Sequence, residues 1–147
     1  MARRYVFAIL TLLVSGLIVF TSLNTGATYA SAGGQIGAFV NAVFFGGRLN
    51  AVEVSTLTGF GGKFFGHFSL FAFDGVFAYF FCRSFPEKKK AFATIFIIFG
   101  LLMSVAGEVI QIFIEGRGPS FVDVIIDFSG YVLVPAVITL YRRFNRL

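Results

Sequence analysis

The sequence predicts an all-α fold, a polytopic membrane bundle of four helices with both termini in the cytoplasm. Three observations carry this. The chain is 57% hydrophobic and only 13% charged, with a mean hydropathy of +0.87. It contains four apolar runs close to the roughly 20 residues that a helix needs to cross about 30 Å of hydrocarbon. Its basic residues gather at alternate ends of those runs. A soluble domain carries about 25% charged residues, so a chain this apolar could not cover itself with polar surface. Its 147 residues make one domain, 1–147.

The four expected spans run from about 5–23, 64–82, 91–114 and 121–141. Arg3 and Arg4 precede the first, and Arg83, Lys88, Lys89 and Lys90 lie between the second and third. Arg142, Arg143 and Arg146 follow the fourth. These are nine of the twelve basic residues, and the positive-inside rule puts all nine in the cytoplasm. Only Arg48, Lys63 and Arg117 fall in the two remaining loops. The net charge of +5 and a pI near 9.7 are therefore topology signals, and no nucleic-acid partner is implied. The expected location is the plasma membrane.

The first run follows Arg3-Arg4 and precedes Ala30-Ser31-Ala32, a pattern that a cleaved leader also shows. The run, at about 19 residues, is longer than the usual leader core. A polar stretch from Asn24 also separates it from the small-residue site. It is expected to be retained. Cys82 is the single cysteine, so no internal disulfide forms, and it reads as a wall residue.

The first outer loop, about 24–62, is long. Its middle, 36–49, mixes Phe39, Val40, Val43, Phe44 and Phe45 with Gly, Asn and Arg48. That mixture fits a short helix lying in the interface or covering the bundle; a loop packed on helix ends fits as well. Gly46-Gly47 and the Gly59–Gly62 segment supply bends.

Ionisable residues inside spans are costly and usually face the bundle interior. Span two carries Lys63 and His67 four apart on one face, with Asp74 two turns deeper. Span three carries Glu108 and Gln111 three apart. Span four carries Asp123 and Asp127 four apart. At 1.5 Å per residue, His67 and Gln111 lie about 5 Å below the outer end, Glu108 and Asp127 about 9 Å and Asp123 about 3 Å. The three spans thus bring polar groups to one depth, with Lys63 and Arg117 at the rim.

Each residue also has a plainer role. His67 could be a hydrogen-bonded packing residue, Glu108 and Gln111 a pair that glues helices, and Ser120 or Asp123 a helix cap. Asp127, one turn deeper than a cap, is not explained that way. Asp74, about 15 Å below the outer end, fits a helix–helix clamp or a proton relay.

The order and spacing of these groups resemble the VanZ-like family of membrane proteins. Lys63, His67 and Phe68 resemble its Lys…His-Phe element. Glu108, Gln111 and Arg117 resemble its E-x-x-Q…R element. Ser120, Asp123, Asp127 and Gly130 resemble its S-x-x-D…(N/D)-x-x-G element. The likeness covers about 60–135. Two positions depart from the pattern: Gly107 stands where an acidic residue is frequent, and Asp127 where Asn is usual. The resemblance implies a link to low-level teicoplanin resistance without remodelling of the peptidoglycan precursor.

Three functions compete at this stage. In the first, a binding module, Lys63, Gln111, Arg117, Ser120 and Asp127 hold a lipid head group or a lipoglycopeptide at the outer face. The 22 Phe pack the lipid tail. In the second, an envelope-lipid enzyme, His67, Glu108 and Asp123 act as catalytic groups. No metal ligand is assigned; a divalent ion, if used, would be Mg or Mn on oxygen ligands, since one His and no usable Cys suit zinc poorly. In the third, a small oligomeric ion-coupled transporter, Asp74 is the relay. No P-loop, H-E-x-x-H or Ser-His-Asp pattern names a reaction.

Overall fold

The computed structural model describes residues 2–24, 26–56 and 63–145. These residues form helices, with no strand among them. The helices are α1 (Ala2–Ser22), α2 (Gly26–Phe45), α3 (Ala51–Thr56), α4 (Lys63–Arg83), α5 (Lys89–Gln111) and α6 (Phe121–Phe144), with a 3₁₀ turn at Pro86–Lys88.

Among the described residues, three helical stretches are long and apolar enough to cross a membrane: Arg3–Ser22, Lys90–Gln111 and Phe121–Phe144. Helix α4 has the length, at 21 residues, but His67, Ser69 and Asp74 interrupt its apolar run. Its packing explains how it accommodates them. It touches α1, α5 and α6, and α6 most extensively. Phe71, Asp74, Gly75 and Ala78 form a buried stripe along it, at the i, i+3, i+4, i+7 spacing of one helical face. A matching stripe on α1 is Thr11, Ser15, Ile18 and Ser22.

Close approach of α4 and α6 depends on two glycines. A Cβ at Gly75 would run into the backbone carbonyl of Tyr131, and one at Gly130 into the backbone of Phe68. Pro135 explains the first contact. Lacking an N–H, it leaves the carbonyl four residues earlier, that of Tyr131, without its helical donor. That carbonyl lies against Gly75, where a Cα–H can approach it. The Tyr131 ring, fully buried, stacks on Phe96 at 4.6 Å between centroids. It fills a notch that Gly100 leaves on α5, where a Cβ would meet the ring.

Basic residues gather at one end. Arg4 lies over Phe85 and Arg142 over Phe80, the latter 5.4 Å from the ring centroid. Arg83 donates to the Tyr79 hydroxyl, which also accepts from Thr139. The start of α1 and the ends of α4 and α6 therefore meet there.

Two elements have bounds that differ from the approximate ones expected. Helix α5 ends at Gln111, where a span to residue 114 was expected. Beyond it the chain tightens through i→i+3 bonds from Ile112, Phe113 and Ile114, then turns at Gly116, whose φ of 72° suits glycine. In the first loop, the helix starts at Gly26, ten residues before the expected 36, and stops at Phe45. Ala-rich residues 26–38 extend it, and Gly46 and Gly47 at φ 62° and 75° end it. Asn41 then clamps the turn by bonding both the carbonyl and the N–H of Leu49. Asn50 and Glu53 form a capping box that starts α3. The main packing partner of α2 is α3. The bend expected at Gly59–Gly62 lies outside the described residues.

Candidate functional site

The polar residues of α4, α5 and α6 meet at the end of the helices opposite the basic cluster. Glu108 is the hub. Gln111, one turn on, donates its amide to Glu108 Oε1 at 2.9 Å, and the backbone N–H of Ser120 donates to Glu108 Oε2 at 2.7 Å. The first bond is the i, i+3 pairing that the sequence suggested. The second ties the start of α6 to α5. Ser120 is also the N-cap of α6, its Oγ accepting from the Asp123 N–H at 3.2 Å. Gln111 and Ser120 thus orient Glu108 and the first turn of α6.

Across the α4–α6 interface, His67 Nδ1 lies 3.0 Å from Asp127 Oδ1. Asp127, too deep for a cap, thus has a polar partner on α4. Asp127 is 1% exposed and Glu108 4%. One ligand-type atom each from His67, Glu108 and Asp127 lies within 4.8 Å of the others. Asp123 is buried but stands outside that trio; its backbone serves the cap. Lys63 opens α4, and its side chain lies outside the described residues.

Beside the trio is a cavity of about 90 Å³. His67, Asp127, Arg117 and Thr21 give it polar walls, and Leu70 and Phe71 apolar ones. Arg117 is held over it by a bond from Nη1 to the carbonyl of Thr21 at 3.1 Å. That carbonyl lies in the last turn of α1, where it also accepts from the Asn24 N–H at 3.3 Å.

The sequence reading passed over α1. Thr21 and Ser22 line the cavity, and deeper on the same helix Ser15 donates to Asp74 Oδ1 at 3.0 Å. The signal was present: Ser15, Ile18 and Ser22 share one face of an otherwise apolar span. Asp74 is fully buried and belongs to this second, deeper contact. Its other oxygen, Oδ2, and the Tyr131 hydroxyl have no hydrogen-bond partner among the described residues.

No curated protein and no solved structure matches the chain. A family model, VanZ/LLP1, matches residues 7–142. The resemblance carried by Lys63, His67, Glu108, Gln111, Arg117, Ser120, Asp123 and Asp127 thus extends over nearly the whole sequence, including α1: the chain belongs to the VanZ/LLP1 family.

Proposed function

We propose that this VanZ-like membrane protein binds the anionic head group of an envelope lipid at the polar site formed by α1, α4, α5 and α6. In this reading the four helices span the plasma membrane as one domain, both termini are cytoplasmic, and the site faces outward. The gathering of Arg4, Arg83 and Arg142 at the opposite end supports that orientation.

The observation that carries the reading is the cavity. Its volume of about 90 Å³ takes a small polar group and a few waters, not a glycopeptide. Arg117 supplies a guanidinium, which suits phosphate or carboxylate, and the apolar helix surfaces beside it suit a lipid tail. Low-level tolerance to teicoplanin is then an indirect effect, through a lipid that the antibiotic or its target depends on. A sensitive host expressing the protein should gain tolerance to teicoplanin and not to vancomycin, and Arg117→Ala should lose it at equal membrane abundance. Equal tolerance in the Arg117→Ala strain contradicts the reading.

The trio of His67, Glu108 and Asp127 favours a second reading, an enzyme acting on the same lipid. A base and two carboxylates are within reach of one another. Turnover of a bound lipid by the wild type, absent in Glu108→Gln, would establish it; unchanged lipid after prolonged incubation would remove it.

A further inference from the structure

The end of the bundle opposite the candidate site gathers positive charge. The start of α1, the segment from the end of α4 to the start of α5, and the end of α6 with the residues after it carry nine basic residues there. Lys89 and Arg146 are among the nine, and Glu87 is the one acidic residue in these segments. The positive-inside rule accounts for that number, but not for the arrangement. Three arginines from three helices surround one aromatic floor. Arg142 of α6 lies over the Phe80 ring of α4 at 5.4 Å, and Phe7 of α1 stacks on the same ring at 5.2 Å. Tyr79 meets Phe80 edge-on at 5.4 Å, and its hydroxyl accepts from Arg83 at 2.9 Å. Arg142 acts on that hydroxyl electrostatically as well. Arg4, one turn before Phe7, lies over the rings of Tyr5 and Phe85 at 5.4 and 5.8 Å. None of the three arginines forms an ion pair among the described residues. Arg4 Nε is shut off from solvent and has no hydrogen-bond acceptor among them, whereas buried donors are as a rule paired.

We propose that Arg4, Arg83 and Arg142 hold the phosphate of an anionic phospholipid in the leaflet at this end of the bundle. The rings fix the guanidinium groups through their faces and leave the N–H donors at their edges to an acceptor that these helices do not supply. A phosphodiester supplies it, and the planar fork of arginine suits phosphate oxygens. The surroundings point to a lipid rather than a soluble anion. Tyr5, Tyr141 and Phe144 are exposed on the same helix ends, as aromatic side chains are at head-group depth. Val6 and Leu140, also exposed, offer acyl chains an apolar wall. Basic groups that converge between spanning helices on the cytoplasmic side bind such head groups, and this is the cytoplasmic leaflet in the orientation proposed above. A head group held there ties the ends of α1, α4 and α6 together.

This site is separate from the one at Arg117, and a single experiment reads both. The purified full-length protein in detergent is titrated with phosphatidylglycerol, and native mass spectrometry counts the lipids on each chain. The wild type should retain one lipid at each end. The double variant Arg4→Gln, Arg142→Gln should keep the lipid at Arg117 and bind the other about tenfold or more weakly. Arg4→Lys, Arg142→Lys keeps the charge, and with it the topology, but not the fork; it should weaken the same lipid severalfold. Circular dichroism and size-exclusion profiles establish that each variant is folded; should the glutamine variant not fold, the lysine variant decides alone. Unchanged affinity in the folded variants overturns the proposal, as does equal retention of phosphatidylcholine at this end. Displacement of the lipid by millimolar inorganic phosphate overturns the lipid as occupant. A lipid lost in Arg117→Ala with none lost in the Arg4 and Arg142 variants overturns this site and leaves the head-group reading standing. The reverse pattern upholds this site and overturns that reading.

Discussion

His67 Nδ1 and Asp127 Oδ1 lie 3.0 Å apart across the α4–α6 interface. The contact joins the second expected span to the fourth and gives a nearly inaccessible carboxylate a polar partner. Removing that partner leaves Asp127 buried without it, at a cost of about 1–3 kcal/mol. His67→Ala should therefore lower the apparent Tm of the detergent-solubilised protein, and His67→Gln, which can still donate, should lower it less. An unchanged Tm in His67→Ala would show that something else satisfies Asp127.

The glycines at the same interface give a steric prediction. A Cβ at Gly75 or Gly130 meets backbone, which cannot swing aside. Gly75→Ala and Gly130→Ala should each destabilise by about 1–3 kcal/mol. Gly16→Ala, where nothing lies within 4 Å, should be neutral or gain the helix propensity of alanine, about 1 kcal/mol. Thermal unfolding of the three variants side by side checks this. Equal behaviour would mean that α4 and α6 do not approach as closely as the structure has them.

Tyr131 carries a prediction of the opposite sign. Its ring is wedged between Phe96 and the Gly100 notch, yet its hydroxyl has no partner among the described residues. Tyr131→Phe keeps the ring and removes an unsatisfied polar group, so it should be neutral or stabilising by up to about 1–3 kcal/mol. A marked loss of Tm would reveal a hydrogen bond to a water or a ligand at that hydroxyl.

The deeper contact between Ser15 and Asp74 joins α1 to α4 outside the cavity lining. Ser15→Ala leaves both Asp74 oxygens without a partner among the described residues, so it should cost about 1–3 kcal/mol and leave lipid retention unchanged. If lipid retention falls at normal abundance, Asp74 belongs to the functional site after all.

Much of the site was legible because helical periodicity is rigid. The i, i+3 spacing of Glu108 and Gln111 predicts their pairing, and the structure has it at 2.9 Å. The depth of Asp127, too far from the helix start for a cap, pointed to a partner, which is His67. The place of α1 at the cavity was legible only in part, through the shared face of Ser15, Ile18 and Ser22. Thr21 contributes through its carbonyl, a group that every residue has, so no side-chain pattern could single it out. The choice between Asp123 and Asp127 was likewise hidden. Both lie on one face of α6, and only the position of α4 decides which of them His67 meets. The extent of α2 was missed for another reason: its first half is mostly small Ala, Gly and Ser residues, which carry no hydrophobic period.

The central claim is that Arg117 and its cavity hold an anionic head group. Native mass spectrometry of the purified protein, with phosphatidylglycerol offered against phosphatidylcholine, tests it most directly. The wild type should retain the anionic lipid preferentially, and Arg117→Ala should lose about 10- to 100-fold in affinity, since a hydrogen bond to a charged group contributes about 1.5–3 kcal/mol. Equal retention of the two lipids by the wild type, or full retention of phosphatidylglycerol by Arg117→Ala, would contradict the account.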